Sequence, residues 1–156
     1  MSRETILRSI RQHLPQSSPL PELTGPWIQY SDPIAQFASV LEMIGGTCIR
    51  VPTLEDIPSH LERIPAYASA TKTLSLVPEI GRTNVAMESI DDPHQLDNID
   101  FAILPGQFAV AENAAVWVTD VGVKHRVVYF LCQHLALVVP AHQMVNNLGE
   151  AYERIE

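Results

Sequence analysis

The sequence predicts an α/β domain built on a mainly parallel sheet. Short apolar runs of strand length alternate with segments whose apolar residues recur at helical spacing. The runs are nearly continuous in apolar residues, which is typical of parallel strands that helices cover on both faces. A chain of 156 residues fits one domain with a sizeable core. We therefore expect one compact domain whose ligand sites lie at the carboxyl ends of its strands.

The N-terminal segment, residues 1–30, predicts an amphipathic helix followed by an extended linker. Ile6, Ile10 and Leu14 lie on one helical face, and the arginines lie largely off it. We expect this helix to dock on the domain body, which occupies residues 31–156. Four prolines then crowd a short stretch and exclude a regular helix there: Pro15, Pro19, Pro21 and Pro26.

The body begins with a predicted helix and a predicted strand. Ser31 is a candidate N-cap, and apolar residues recur at helical spacing behind it until Gly45-Gly46 ends the pattern. The residues that follow, 47–51, read Thr-Cys-Ile-Arg-Val. They predict a strand because β-branched residues dominate them.

The next part of the chain predicts a helix and a second strand before an ambiguous stretch. Residues 54–64 are charged and weakly amphipathic, with Pro58 placed in a first turn. Residues 73–77 form a short strand-like run. Further on, residues 85–90 fit a strand, and the Asp91-Asp92-Pro93 group predicts a turn followed by one helical turn.

Three more strands and a closing helix are predicted in the C-terminal third. The apolar runs are residues 101–104, 115–119 and 135–139. From His142 onwards, four apolar residues share one helical face, so we expect a helix that closes the domain. These four residues are Val145, Leu148, Tyr152 and Ile155.

Composition and charge exclude several classes of protein. The net charge is −8 at pH 7, whereas proteins that bind nucleic acid usually concentrate Lys and Arg on one face. The longest apolar runs are of strand length, well short of the roughly 20 residues that a membrane-spanning helix needs. Residues 1–14 lack the continuous apolar region of a secretory signal. We expect a soluble cytoplasmic protein that binds neither nucleic acid nor a membrane.

The cysteines, histidines and glycines give no signal for a metal site or a nucleotide cofactor. Cys48 and Cys132 lie far apart, and the six histidines show no HxH, HxxxH or HExxH spacing. Two cysteines are too few to hold an iron–sulfur cluster by themselves. The sequence also contains no GxGxxG, GxxxxGK[ST] or GxSxG motif. We therefore predict no metal and no cofactor on this chain.

One carboxylate stands out in the apolar C-terminal third. Residues 108–119 read FAVAENAAVWVT, in which Glu112 and Asn113 interrupt a stretch that is otherwise almost wholly apolar. An ionised side chain buried there without a partner costs on the order of several kcal/mol. We predict that Glu112 lies at a strand end in a pocket. It either serves a functional site, accepts backbone N–H bonds at a turn or pairs with Arg126.

The roles of the other polar residues in this third stay open. Asn113 either contacts a ligand or supplies the left-handed turn geometry that asparagine tolerates. Arg126 either binds an anionic substrate or is a surface charge. His134 either takes part in the site or is a hydrogen-bonded histidine at the edge of the core. Asp120 and His125 are expected to be solvated.

From residue 101 to the C-terminus, the chain resembles the LUD domain, the lactate-utilisation family that includes the LutC-like proteins. The shared pattern is an apolar strand, a glycine, an Ala-Glu-Thr-Gly-like turn, a strand, an arginine, and a histidine before a last strand and helix. The matching residues are Gly106, Ala111-Glu112-Asn113-Ala114, residues 116–119, Arg126 and residues 134–139. Asn113-Ala114 stands where the family has Thr-Gly, so the glycine that eases a close backbone approach to a ligand is absent.

The resemblance implies a three-layer α/β/α fold of the NagB/RpiA/CoA transferase-like superfamily. In CoA transferases of that fold, a glutamate at the start of a strand attacks a thioester, which is the general chemistry of carboxylate nucleophiles. By similarity, Glu112 is the candidate catalytic residue. The candidate residues for binding a small anionic carboxylate or acyl ligand are Gly106, Asn113, Arg126 and His134.

Three functions are compatible with the resemblance. The first, which we favour, is a LUD-type protein of lactate or related carboxylate utilisation that acts with iron–sulfur oxidase subunits on other chains. The second is a stand-alone enzyme of acyl or CoA transfer that uses Glu112. The third is a degenerate, non-catalytic binding module, which Ala114 and Ala115 favour. Association into a homo-oligomer is left open.

Overall fold

The mixed α/β architecture is seen in a computed structural model that describes residues 3–14, 18–19 and 25–155. The helices are α1 (Arg3–Gln12), α2 (Pro33–Met43), α3 (Ile57–Leu61), α4 (Pro65–Ala68), α5 (Val128–Leu131) and α6 (Leu148–Ile155). The strands are β1 (Thr73–Ser75), β2 (Phe101–Pro105), β3 (Phe108–Val110), β4 (Ala115–Trp117), β5 (His134–Val138) and β6 (Met144–Val145). Short 3₁₀ helices lie at Leu54–Asp56, Met87–Ser89, Pro93–Asn98 and Ala141–Gln143.

The central sheet consists of three parallel strands in the order β1, β2, β5. Side chains of the middle strand β2 alternate between two buried clusters. Ala102 and Leu104 face a cluster built with the 3₁₀ helices and α5, while Phe101 and Ile103 face a cluster built with α3 and α4. Both faces of the sheet are thus covered, as parallel strands require. The α/β class and the mainly parallel sheet agree with the prediction.

A second, smaller sheet follows β2 and has the order β4, β3, β6. Strands β3 and β4 form an antiparallel hairpin, and β3 pairs with β6 in parallel. Phe108 and Val110 of β3 pack with Ala151 of α6 in a third cluster. The sequence did not predict β3 or β6, because both are very short and β3 merges with the apolar run that surrounds Glu112.

Helix α1 is present as predicted, but it does not dock on the body. It contains no buried residue; Ile6 and Ile10 are about half exposed, and Leu14 just beyond it is 63% exposed. Ile6 and Ile10 give this ten-residue helix a narrow apolar face, and no described element covers it. Pro19 and Pro26 lie outside regular secondary structure, as expected of a linker. Pro15 and Pro21 lie outside the described residues.

Helix α2 differs from its prediction at the start, and the strand predicted after it is absent. Asp32 caps the helix instead of Ser31, because its Oδ1 accepts the N–H of Ala35 at 3.0 Å. Gly45 ends the helix with φ +87°, as predicted for a C-terminal glycine. The prediction of a strand at residues 47–51 is wrong, since no strand edge pairs with them. A β-branched composition makes a strand only where an edge is offered.

The segments that flank the central strands follow the prediction only in part. Of the predicted helical residues 54–64, residues 54–61 are helical, with Pro58 in the first turn of α3. Residues 85–90 contain the 3₁₀ helix Met87–Ser89 in place of a strand. The predicted helical turn after Asp92 is present, and Asp92 caps it by accepting the N–H of His94. Strands β1, β2, β4 and β5 confirm the predicted runs, and β1 and β4 are shorter than predicted.

The closing helix begins six residues later than predicted and uses another face. Val145 belongs to β6, and α6 starts at Leu148. Leu148, Tyr152 and Ile155 are 39%, 65% and 42% exposed, so the predicted apolar face is not the buried one. The small side chain of Ala151 makes the core contact instead. Close packing against the short second sheet favours a small residue there.

Candidate functional site

The N-terminus of helix α6 is held by side chains that come from outside the helix. Asn147 precedes the helix, and its Oδ1 accepts the N–H of Glu150 at 3.0 Å. Glu112 reaches across from the β3–β4 turn, and its Oε2 accepts the N–H of Leu148 at 3.0 Å. The first N–H groups of a helix have no partner within it. A side-chain oxygen therefore satisfies each of these two, and the carboxylate also lies at the positive end of the helix dipole.

Glu150 adds to this arrangement from within the first turn of the helix. Its Oε2 accepts the backbone N–H of Asn146 at 2.7 Å, and its Oε1 accepts Nε2 of Gln29 at 2.6 Å. Burial raises the pKa of Glu150, but the hydrogen bonds from Asn146 and Gln29 outweigh it and hold the pKa below its usual value. We call Glu112, Asn146, Asn147 and Glu150 the α6 cap cluster.

The α6 cap cluster also fixes the segment that leads into α2. Nδ2 of Asn147 donates to the carbonyl oxygen of Ile28 at 2.8 Å, and the N–H of Tyr30 donates to Oδ1 of Asn146 at 3.0 Å. Asn147 is 2% exposed, so both ends of its amide are satisfied inside the protein. The cluster thus joins three parts of the chain: residues 28–30, the β3–β4 turn and α6.

The prediction that Glu112 lies in a pocket is wrong. Glu112 is exposed in the turn between β3 and β4, and its own N–H donates to the carbonyl oxygen of Asn146 at 3.0 Å. The apolar residues before it are buried because they form β3, while the turn itself projects from the sheet. Of the three roles open to Glu112, its contacts are those of an acceptor of backbone N–H bonds. Arg126 pairs with Asp120 instead.

The left-handed residue of this turn is Ala114, so the alternative in which Asn113 supplies the left-handed geometry is wrong. Ala114 has φ +56°. Oδ1 of Asn113 accepts the N–H of Ala115 at 3.0 Å, which is the local bond that asparagine makes in turns. The position of Ala114 is where the LUD pattern has glycine, the residue that adopts this conformation without steric cost. The turn therefore holds Ala114 in a conformation that glycine would adopt more easily.

Gly106 and His134 lie at opposite ends of the strands of the central sheet. Gly106 follows the carboxyl end of β2, whereas His134 starts β5 beside Phe101 at the amino end. The two ends are about 16 Å apart along β2, because a strand rises ~3.3 Å per residue. Packing requires Gly106, because an added Cβ would come within 2.6–2.7 Å of Val116 and Val139. His134 is exposed, and its ring stacks on Phe101 with centroids 6.1 Å apart.

Arg126 lies in the loop between β4 and α5, where its charge is at the surface. Its Nη1 is 3.7 Å from Oδ2 of Asp120, and the two side chains are 77% and 58% exposed. Such a surface pair contributes little to stability. Asp120 is solvated as predicted, but His125 is not: it is half-buried, with Nε2 2.8 Å from the carbonyl oxygen of Ile90. His125 thus anchors the loop on the preceding segment.

The structure does not bring the five candidate site residues together. Glu112 and Asn113 share one turn, but Gly106, Arg126 and His134 lie elsewhere, each with its own local contacts. The sequence reasoning missed Asn146, Asn147 and Glu150. The signal was the Asn-x-x-Glu spacing of a capping box at residues 147–150. It was hidden because the helix was expected to start at His142.

A shallow groove lies at the carboxyl end of β1, which is where α/β proteins commonly bind ligands. It is lined by residues 75–81 and Thr83. Its charged side chain is that of Glu79, so the groove does not suit an anionic carboxylate. The neighbouring Arg82 contacts other groups: its guanidinium lies 4.6 Å from the ring centroid of Tyr67 and 3.6 Å from a carboxylate oxygen of Glu62.

Comparison with known proteins gives no match. No protein-family model, no curated protein and no solved structure matches the chain. Within residues 3–14, 18–19 and 25–155, no group of three or more His, Cys, Asp or Glu side chains is placed to hold a metal ion. The same part of the chain contains no helix of the length and apolar character needed to cross a membrane. The functional argument therefore depends on the contacts described above.

Replacing Glu112 with alanine should lower the free energy of unfolding by about 1 kcal/mol, because the N–H of Leu148 loses its acceptor. Glu112→Gln keeps an acceptor oxygen and should lose less. Urea unfolding of the variants measures both effects. The control is Glu153→Ala, which removes an exposed carboxylate from α6. Its free energy of unfolding should stay within about 0.5 kcal/mol of the wild type. A Glu112→Ala protein as stable as the wild type would contradict the capping contact.

Ala114→Gly should raise the free energy of unfolding by about 0.5–1 kcal/mol. The left-handed conformation costs a non-glycine residue about 1–2 kcal/mol, and the greater freedom of glycine in the unfolded chain cancels part of the gain. Ala115→Gly, one residue further on in β4, is the matched control and should destabilise. If both glycine variants lose stability to the same extent, the φ of Ala114 carries no strain.

Proposed function

We propose that this chain is a non-catalytic binding subunit with a LUD-type fold, which acts with iron–sulfur oxidase subunits on other chains in the utilisation of lactate or a related carboxylate. The observation that carries this proposal is the contact between Glu112 and the N-terminus of α6. The resemblance makes this carboxylate the nucleophile. In the protein it accepts a backbone hydrogen bond and stabilises the fold.

Covalent catalysis by a carboxylate needs a free oxygen aimed at the carbonyl carbon of a bound thioester, in a site that positions the substrate. Glu112 lies on an exposed turn, and of the candidate substrate-binding residues Gly106, Arg126 and His134 lie in other parts of the fold. Arg126, the candidate for binding an anionic group, is paired with Asp120. These positions favour a structural role for Glu112 over a role in acyl transfer.

The order of elements supports a LUD-type fold. From β2 onwards the chain runs through Gly106, the turn that holds Glu112, strand β4, the loop with Arg126, and then β5 and α6. This is the order of the resemblance pattern. The central sheet with clusters on both faces is what a three-layer domain has at its centre. We therefore extend the proposal to the three-layer fold of the NagB/RpiA/CoA transferase-like superfamily.

Helix α1 is the element that we assign to partner binding. Ile6 and Ile10 of this helix, and Leu14 just beyond it, are all at least 47% exposed. Burying each of them in a groove contributes about 1.5–3 kcal/mol, and an amphipathic helix laid into an apolar groove is a common recognition mode. The iron–sulfur ligands that this chain's two cysteines do not supply would come from the partner subunits.

Binding of the chain to purified iron–sulfur oxidase subunits of the same organism tests the proposal. Calorimetry should show binding that Ile6→Asp/Ile10→Asp weakens by tenfold or more, because charges then replace the apolar contacts. Glu112→Gln should bind as the wild type does. Ser9→Asp, which adds a charge off the apolar face of α1, is the control for helix content and charge. Absence of binding by the wild type would defeat the proposal.

A second measurement tests the non-catalytic part. After incubation with acetyl-CoA, the intact mass of the wild type should be unchanged, and hydroxylamine should release no acyl hydroxamate. A mass increase of one acyl group in the wild type that is lost in Glu112→Gln would show Glu112 to be a nucleophile. Circular dichroism of Glu112→Gln confirms that its fold is intact.

A further inference from the structure

Among the residues that the structure describes, no strand pairs with the outer edge of strand β5. His134 donates to the carbonyl oxygen of Asp100 at 3.1 Å, and the carbonyl oxygen of Val138 accepts from Gly106 at 2.9 Å. The even-numbered residues of β5 therefore face β2. Because successive residues of a strand direct their N–H and C=O groups to opposite sides, those of Leu135 and Leu137 point away from the sheet. Strand β5 is the last strand of the central sheet on that side.

This edge differs from the opposite edge of the same sheet. The outer edge of β1 is covered, since the carbonyl oxygen of Thr73 accepts the N–H groups of Asn84 and Val85, and Asn84 Oδ1 accepts the N–H of Thr73. Strand β5 has no such cover in the described chain. Its sequence, His-Leu-Ala-Leu-Val, holds no proline or lysine, and Leu135 is 39% exposed. Proteins usually protect a free strand edge by a covering segment, a proline or a lysine.

Residues 47–51 form a second piece of unpaired, strand-forming chain. The segment is mostly exposed, with Ile49 43% exposed. In the part of the chain that the structure describes, these residues make no backbone–backbone hydrogen bond. Both ends of the segment are fixed: Gly46 donates to the carbonyl oxygen of Leu41, and Thr53 donates to Asp56. The segment is therefore held in place within its own chain without pairing with β5.

We propose that two copies of this chain associate by reciprocal strand addition, in which residues 47–51 of each copy pair along the outer edge of β5 of the other copy. One chain supplies both a free strand and a free edge, so a second copy satisfies both at once. The exchange closes with two-fold symmetry, which limits the assembly to a dimer. Main-chain hydrogen bonds supply the affinity, as in other cases of strand addition to a sheet edge.

The side chains of the two elements suit this pairing. Thr47, Ile49 and Val51 share one side of an extended segment and carry β-branched groups. Pairing removes the exposed apolar surface of Ile49 and Leu135 from water. The other side of the segment carries Arg50, and a charged residue on the new outermost strand protects it against further pairing. This inference does not depend on the proposed function.

Two proline variants and their mixture test the exchange. Leu135→Pro removes an outward N–H and leaves the bonds of β5 with β2 in place, because proline is tolerated where the N–H of an edge strand faces solvent. Ile49→Pro/Arg50→Pro removes one N–H on each side of the donated strand. Sedimentation and light scattering should find the wild type dimeric and both proline variants monomeric. The matched controls, Leu135→Ala and Ile49→Ala/Arg50→Ala, should remain dimeric.

Mixing the two proline variants gives the decisive result. The first keeps an intact strand and the second keeps an intact edge, so an equimolar mixture should form a heterodimer through one remaining exchange. A dimeric Ile49→Pro/Arg50→Pro variant would overturn the proposal in favour of direct pairing between two β5 strands. A mixture that stays monomeric, or a wild type that is monomeric well above micromolar concentration, would also overturn it. If circular dichroism shows that proline unfolds the chain, Leu135→Lys and Ile49→Lys replace the two variants in the same mixture.

Discussion

Asn147 is the residue on which the junction between helix α6, the second sheet and the segment before α2 depends. Its side-chain amide is buried, and such a group is costly unless both its oxygen and its nitrogen are paired. The oxygen caps helix α6 through Glu150, and the nitrogen holds the carbonyl oxygen of Ile28, which lies 119 residues away in sequence. Its neighbour Asn146 binds Tyr30 and the N–H of Glu112. Loss of this junction would release the segment before α2 and the second sheet together.

The same junction engages Glu112, the residue that the LUD resemblance makes a candidate nucleophile. Glu112 occupies the expected place in the sequence pattern. The β3–β4 turn directs its carboxylate toward the N-terminus of α6, where backbone N–H groups and the helix dipole favour a negative charge. Ala114 holds a left-handed conformation that glycine would adopt without cost. Glu112 thus stabilises the fold through a carboxylate oxygen that a catalytic nucleophile would need to have free. The two surfaces that we propose for binding other chains, α1 and the outer edge of β5, lie outside this junction.

The central sheet was predictable from the sequence, and the site was not. Strand β2 is a continuous apolar run that is buried on both faces, which makes such a run diagnostic. Strand β5 carries the apolar run at residues 135–138 and was predicted from it, although it is less buried. Strand β3 and the two-residue β6 gave no separate signal, because pairing between distant segments creates them. Residues 47–51 show the converse: a good strand sequence stays unpaired when it does not lie against a strand edge of its own chain. The contact of Glu112 with Leu148 spans 36 residues, and no local pattern encodes it.

The claim that Asn147 couples three parts of the chain is tested most directly by amide hydrogen exchange in the wild type and in Asn147→Ala. The account predicts that protection falls together for the N–H groups of Tyr30, Glu112 and Leu148, because one junction holds all three. Protection in β2, at Ala102 and Leu104, should be unchanged at temperatures where the variant is folded. A loss confined to Leu148 and the rest of α6, with Tyr30 and Glu112 still protected, would contradict the account.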